Sequence, residues 1–224
     1  IPKHRGLGQQ EGGHGLEIRA DGIEVYPQLM PNRQTRTFDP ELLSSGLPRL
    51  DALLGGGIER GSVTFLSGPS GIGKTTIGTH FAAAAGSRGE NALIYLFEES
   101  AEELLYRTKG LGIPIATLRE QGTVVVREIE PLVRSAEEVG QMIQRDIDDH
   151  DPALVVIDGM SGYKVSLQGE NPRLTDRLHA LTRTLKYQGI AVCVMDEISQ
   201  LTGVPSATSA NTSYIADNLI IMSY

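Results

Sequence analysis

The 224-residue chain has a single cysteine, Cys193, inside an apolar run. No disulfide framework can form within it, and a reducing, cytoplasmic setting fits. No run of about 18 apolar residues is present, so no membrane-spanning helix is expected. The opening Ile1-Pro2-Lys3-His4-Arg5 has no apolar segment behind it and is no signal peptide. It also lacks an initial Met, and reads as a cut within a longer chain. Positive charge is scarce: 20 Lys and Arg face 28 Asp and Glu, for a net charge of −8. That disfavours a dedicated nucleic-acid binder, whose footprint is basic, although a local patch would escape this test. The five histidines, His4, His14, His80, His150 and His179, show neither metal-ligand spacing nor a nucleophile beside them. Internal repeats and long low-complexity tracts are also missing.

What is present reads as globular. Hydrophobic residues make up 40% and charged residues 21%, which argues against disorder. A chain of this length is one large α/β domain, or one domain and a piece, and needs no disulfide or metal staple. Glycine is abundant at 26 residues, against a usual share of ~7%. Glycines gather where the backbone turns sharply or approaches something closely.

Residues 1–40 differ from the rest. Two short alternating pieces, Leu16–Arg19 and Ile23–Tyr26, predict a hairpin-like appendage, followed by a linker from Pro27 to about Pro40. From Leu47 onward apolar runs alternate with helical patterns. Strands are expected at Val63–Ser67, Ala92–Phe97, Thr123–Arg127, Leu154–Asp158, Ile190–Met195 and Leu219–Met222. Helices are expected at Lys74–Ser87, after the capping boxes Ser100–Glu103 and Ser135–Glu138, and at Pro172–Tyr187. The strands are continuous apolar runs, as in a parallel sheet covered on both faces. Strand–helix alternation makes the fold class α/β.

Gly68-Pro69-Ser70-Gly71-Ile72-Gly73-Lys74-Thr75 carries the strongest chemical signal. It satisfies every fixed position of G-x-x-x-x-G-K-[ST], after a strand and before a helix. In such a P-loop the glycines let backbone amides turn toward phosphate oxygens at a helix N-terminus. Residues 68–76, including Thr76, are the expected nucleotide-binding segment. Lys74 would reach the β- and γ-phosphates, and Thr75 would hold Mg²⁺.

The metal needs an acid as well. Asp158 and Asp196 both end apolar runs, and Asp158 is preferred. The residue after it is Gly159, so a base must come from elsewhere. Glu98 and Glu99 end the strand Ala92–Phe97, and strand C-terminal ends line the ligand crevice of a parallel sheet. Either could accept a proton from water or a hydroxyl, and crowded carboxylates raise one another's pKa. Asp196 and Glu197 are expected at the end of a neighbouring strand. Asp146, Asp148, Asp149 and Asp151 read as a solvated acidic surface.

Together these features resemble RecA-type ATPases, most closely the KaiC family. The resemblance spans nearly the whole chain. It is carried by Ser45-Gly46-Leu47-Pro48-Arg49-Leu50-Asp51, Gly55-Gly56-Gly57-Ile58-Glu59-Arg60-Gly61, the P-loop, Phe97-Glu98-Glu99-Ser100, Ile157-Asp158 and Ser213-Tyr214-Ile215-Ala216-Asp217-Asn218. It implies a RecA-like domain that binds and slowly hydrolyses ATP with Mg²⁺, with Glu98 and Glu99 as paired catalytic glutamates and Asp158 at the metal. Family members carry two such domains in tandem and assemble as hexameric rings. Residues 1–37 then resemble the tail of a preceding domain plus a linker, and 38–224 a second domain lacking its own tail. Lys3-His4-Arg5-Gly6 resembles the segment whose Lys and Arg act on the neighbouring subunit's nucleotide. The family's clock members phosphorylate adjacent Ser and Thr, which align with Ser213 and Tyr214, making Ser213 a candidate phosphosite. Tyr214 and Glu197 depart from the pattern. Two other readings stay open at this point. One is a DNA-handling recombinase or helicase-type ATPase. The other is a nucleotide-gated signalling scaffold with negligible turnover.

Overall fold

The computed structural model describes residues 15–20, 22–26, 37–130, 136–159, 174–197 and 215–224. Two strands, β1 (Gly15–Arg19) and β2 (Gly22–Tyr26), form the expected antiparallel hairpin, with Leu16 opposite Val25 and Ile18 opposite Ile23. A short ribbon, β3 (Leu42–Leu43) with β4 (Ile58–Glu59), encloses the helix α1 (Pro48–Leu53). The main body follows as β5 (Val63–Gly68), α2 (Lys74–Ser87), β6 (Ala92–Leu96), α3 (Ala101–Gly110), α4 (Ile115–Glu120) and β7 (Val124–Glu128). It continues through α5 (Ala136–His150), β8 (Leu154–Asp158), α6 (Leu174–Tyr187), β9 (Ala191–Glu197) and β10 (Asn218–Ile221).

Six of these strands make one sheet in the order β10-β5-β9-β8-β6-β7, and every neighbouring pair is parallel. Their residues alternate between two apolar cores. Ile94, Leu96, Val156, Cys193 and Met195 point to the face carrying Phe81 of α2, Leu104 of α3, and Ile115 and Leu118 of α4. Leu93, Tyr95, Val155, Val192 and Val194 point to the face carrying Ile143 of α5 and Leu181 and Leu185 of α6. Burial on both sides explains why these strands read as unbroken apolar runs. The sheet is an α/β arrangement consistent with a RecA-like domain.

Sheet order sets where a ligand can sit. The chain leaves β5 and skips two places to β6, and later returns to add β10 on the other side of β5. Reversal of direction beside β5 opens a crevice at its C-terminal end, the usual ligand position in open parallel sheets.

Part of the expected linker is docked. The Phe38 ring lies so close over Gly61 and Gly189 that a Cβ on Gly189 would come 2.6 Å from Phe38 Cγ. Both glycines have positive φ, +67° and +74°, so the contact depends on glycine twice over. At the far end, Asp217 Oδ2 accepts from the Val63 amide at 2.8 Å and pairs with Lys186, fixing β10 to the start of β5. The capping box at Ser100 forms as expected: Ser100 Oγ accepts from the Glu103 amide and Glu103 Oε2 from the Ser100 amide. Ser135, head of the other expected box, lies outside the described residues.

One expectation is corrected here. Asp148, Asp149 and Asp151 are exposed, but Asp146 is 4% exposed and is no solvated acid. Its carboxylate accepts from Arg127 Nη2 at 2.8 Å and Nε at 3.2 Å, and from the Tyr95 hydroxyl at 3.1 Å. The helical period places it on the inner face of α5, one residue before Ile147 and three after Ile143. Burial, reinforced by the Asp146 charge, pushes the Tyr95 phenol far above its ordinary range. Asp146→Ala would leave the Tyr95 hydroxyl and the inner part of Arg127 without their acceptor. We expect it to destabilise the fold by about 2 kcal/mol in urea unfolding, whereas Asp149→Ala should change the midpoint negligibly.

Candidate nucleotide site

The motif lies where the sheet order opens the crevice. β5 ends at Gly68, the loop runs through Gly73, and α2 starts at Lys74. Gly71 and Gly73 have φ of +76° and +104°, a region L-residues avoid, so the turn that aims the amides inward requires both. Gly73 is the N-cap of α2, and no side chain caps that end; its first turn holds no acid. Its free amides and dipole therefore favour an anion. A cavity of about 260 Å³ opens here, lined by Ser70, Gly71, Gly73, Lys74, Thr75, Glu98, Arg107, Asp158, Gly159, Met195 and Glu197. Pro69, Ile72 and Thr76 stand off the lining, as does Gly68, where a Cβ would meet the Met222 carbonyl at 2.7 Å. Lys74 Nζ donates to the Gly68 and Pro69 carbonyls, both at 2.8 Å. The loop's outer side is backed by the end of the chain, where the Tyr224 hydroxyl donates to the Ser70 carbonyl at 3.2 Å.

Asp158, at the end of β8, lines the cavity together with Thr75, whose hydroxyl favours the charged carboxylate. Burial raises its carboxyl to about 6; the charges of Glu99 and Glu98 add to this, and Thr75 and Arg107 oppose it. The sequence places the crowding at Glu98 and Glu99; the raised carboxyl is that of Asp158.

The glutamate pair divides. Glu98 lines the cavity, while Glu99 turns aside into a bidentate pair with Arg107 of α3, at 2.5 and 2.7 Å. Gly159 makes the Glu98 position possible: its φ is +95°, and a Cβ there would lie 2.8 Å from Glu98 Cγ. The Asp196–Glu197 pair divides as well. Met195 belongs to the core facing α2 and Val194 to the opposite one. Alternation therefore sends Glu197 to the cavity and the 2% exposed Asp196 to the far face.

Comparison with known proteins agrees with this architecture. A family model described as "ATPase: KaiC" matches residues 43–224. The chain belongs to the KaiC ATPase family. It is 28% identical over its full length to the circadian clock oscillator protein KaiC of Synechococcus elongatus, covering 43% of that protein. It is likewise 28% identical to the circadian clock protein KaiC3 of Synechocystis sp., covering 44%, and to KaiC of Thermosynechococcus vestitus, covering 42%. The chain thus spans less than half the length of the curated relatives it matches.

Within this KaiC-family domain the structure brings together Lys74, Thr75, Glu98 and Asp158, with Glu99 at one remove. The candidate phosphosite Ser213, its neighbour Tyr214, and Lys3 and Arg5 lie outside the described residues. Sequence reading missed Arg107, although it stands two helical turns beyond a strand-end glutamate. It also read Gly159 only as the lack of a glutamate.

Asp158 supplies a pH test. Its carboxyl titrates higher in the folded chain than in the unfolded chain, so the ligand-free fold gains stability as pH falls from about 6 toward 4. Above pH 6 the buried charge costs roughly 3 kcal/mol. Asp158→Asn should therefore raise the unfolding midpoint of the ligand-free chain at pH 7.5, with the gain fading by pH 4. Urea titrations at the two pH values check this.

Proposed function

We propose that this domain binds Mg·ATP and hydrolyses it slowly. Within this reading, the amides of Gly71 and Gly73 and the N-terminus of α2 receive the phosphates. Lys74 trades its loop carbonyls for phosphate oxygens. Thr75 and Asp158 would hold the metal, an all-oxygen pair that suits magnesium and leaves its other positions to phosphate and water. Among the described residues no group of three or more His, Cys, Asp or Glu side chains forms a cage of its own. When bound, the metal neutralises charge between the β- and γ-phosphates.

Glu98 is the proposed base. Its side chain lines the cavity beside Gly159, where it would take the proton of an attacking water. Glu99, held by Arg107, is turned away from that role. The observation carrying the reading is that the P-loop residues Lys74 and Thr75 share one cavity with the strand-end acids Glu98 and Asp158. The family resemblance further supports assembly of the full-length protein as a hexamer, with Lys and Arg supplied between neighbours, and a cytoplasmic setting. A site missing such a trans-acting cation forgoes ~10³–10⁵ in rate. The chain alone should bind ATP well and turn it over poorly.

The test is incubation with Mg·[γ-³²P]ATP, following free phosphate and labelled protein together. Free phosphate is expected, falling about 10²–10⁴-fold in Glu98→Gln with ATP binding retained. Lys74→Ala should lose binding itself. Turnover that survives Glu98→Gln would remove Glu98 as base. Label on the protein that disappears with Ser213→Ala would extend the reading to self-phosphorylation. Binding with no turnover at all, even in a chain extended at both ends, would favour the signalling scaffold.

A further inference from the structure

We propose that Arg107 is a γ-phosphate ligand supplied from within the same chain, held for that task by Glu99. This deepens the ATP reading and rests on it. Two cationic side chains line the cavity, Lys74 and Arg107, against the carboxylates of Glu98, Asp158 and Glu197. A triphosphate adds several negative charges to that set, most of them on its terminal group. Lys74 is anchored at the loop root, on the carbonyls of Gly68 and Pro69. Arg107, on α3, also lines the cavity with Glu98. The two cations thus reach one cavity from two different helices, α2 and α3.

The geometry of Arg107 suits a phosphate better than a purely structural pairing. Its Nη1 and Nη2 each donate to one oxygen of Glu99. That end-on fork uses two of five N–H groups and leaves three to offer. The side chain is 38% exposed, and an ion pair so open to water contributes little to stability. Yet its support is rigid. The Ser100–Glu103 box closes the first turn of α3, and the Ala101 amide donates to Glu128 Oε1 at 2.6 Å. A guanidinium whose rotamer is fixed by a neighbouring carboxylate loses little freedom when a phosphate arrives. Glu99 is then a positioning residue for Arg107. That accounts for two adjacent glutamates of which one faces the cavity.

Calorimetric titration of the chain with ADP and with the β,γ-imido analogue of ATP, both with Mg²⁺, tests the assignment. In Arg107→Gln the affinity for the triphosphate analogue should fall about tenfold, while that for ADP stays within about twofold. Glu99→Gln should shift the ratio in the same direction by a smaller factor. Arg107→Lys, which keeps charge but not the fork, should lose selectively by about threefold; it carries the comparison should Arg107→Gln fail to fold. Equal losses for both nucleotides, or none, would overturn the role of Arg107 while leaving the ATP reading intact. If the unaltered chain binds neither nucleotide, both fall together.

Discussion

The approach of Thr75 to Asp158 within one cavity brings together parts of the fold whose strands are not neighbours. Thr75 belongs to the helix that β5 feeds, Asp158 ends β8, and β9 lies between them. For that approach, α2 must settle deeply onto the sheet over β9. Gly78 permits this. A Cβ there would lie 1.9 Å from Met195 Cε and 3.2 Å from Val156 Cγ1. The constraint is space, not backbone strain, because Gly78 sits in an ordinary helical conformation. A side chain at that position would first have to displace the Met195 methyl and press on Val156. Gly86, one helical stretch further, has the same relation to Val124 of β7, whose Cγ2 would lie 2.9 Å from its Cβ. Two glycines on one helix face thus let α2 pack closely on the sheet.

Close approach concentrates charge, and the site carries an electrostatic cost while it holds no ligand. Burial raises the Asp158 carboxyl, and Glu98 and Glu99 raise it further. Arg107 and the Thr75 hydroxyl offset only part of this. A divalent cation would relieve the same crowding that destabilises the ligand-free fold. That is preorganisation: the groups stand where the charge will be needed, and folding elsewhere in the chain sustains the cost. The sustaining elements are identifiable. The doubly covered strands supply apolar burial, and the Tyr95–Asp146–Arg127 network ties α5 to β6 and β7 on the opposite face.

Much of this arrangement was legible in the sequence because each part has a local signal. The glycines at 68, 71 and 73, the apolar runs ending in Asp158 and Glu98, and the Ser100 box are all written over a few residues. Asp146 was misread because its neighbours Asp148 and Asp149 are solvated. Only the helical period separates them, and a run of acids invites treatment as one patch. The division of Glu98 from Glu99 was invisible for another reason. It depends on Gly159, which follows a different strand, and on how Arg107, two turns into the next helix, turns back to Glu99. Small pieces such as β3, β4 and α4 also escaped, since two to six residues offer no period to read.

The placement of cations bears on how such a domain would be controlled. Phosphoryl transfer gives the protein little covalent chemistry to perform, so rate follows from how completely charge around the γ-phosphate is neutralised. Lys74 and Arg107 come from this chain and are present whenever it is folded. A further Lys or Arg from a neighbour, as the family resemblance implies, is present only in an assembly. On the proposed reading, nucleotide binding would not depend on the neighbour, whereas turnover would. Separating capture from cleavage in this way lets a bound triphosphate persist until the subunits are correctly arranged. On the same reading, nucleotide and metal would compensate the charge of an acid as crowded as Asp158.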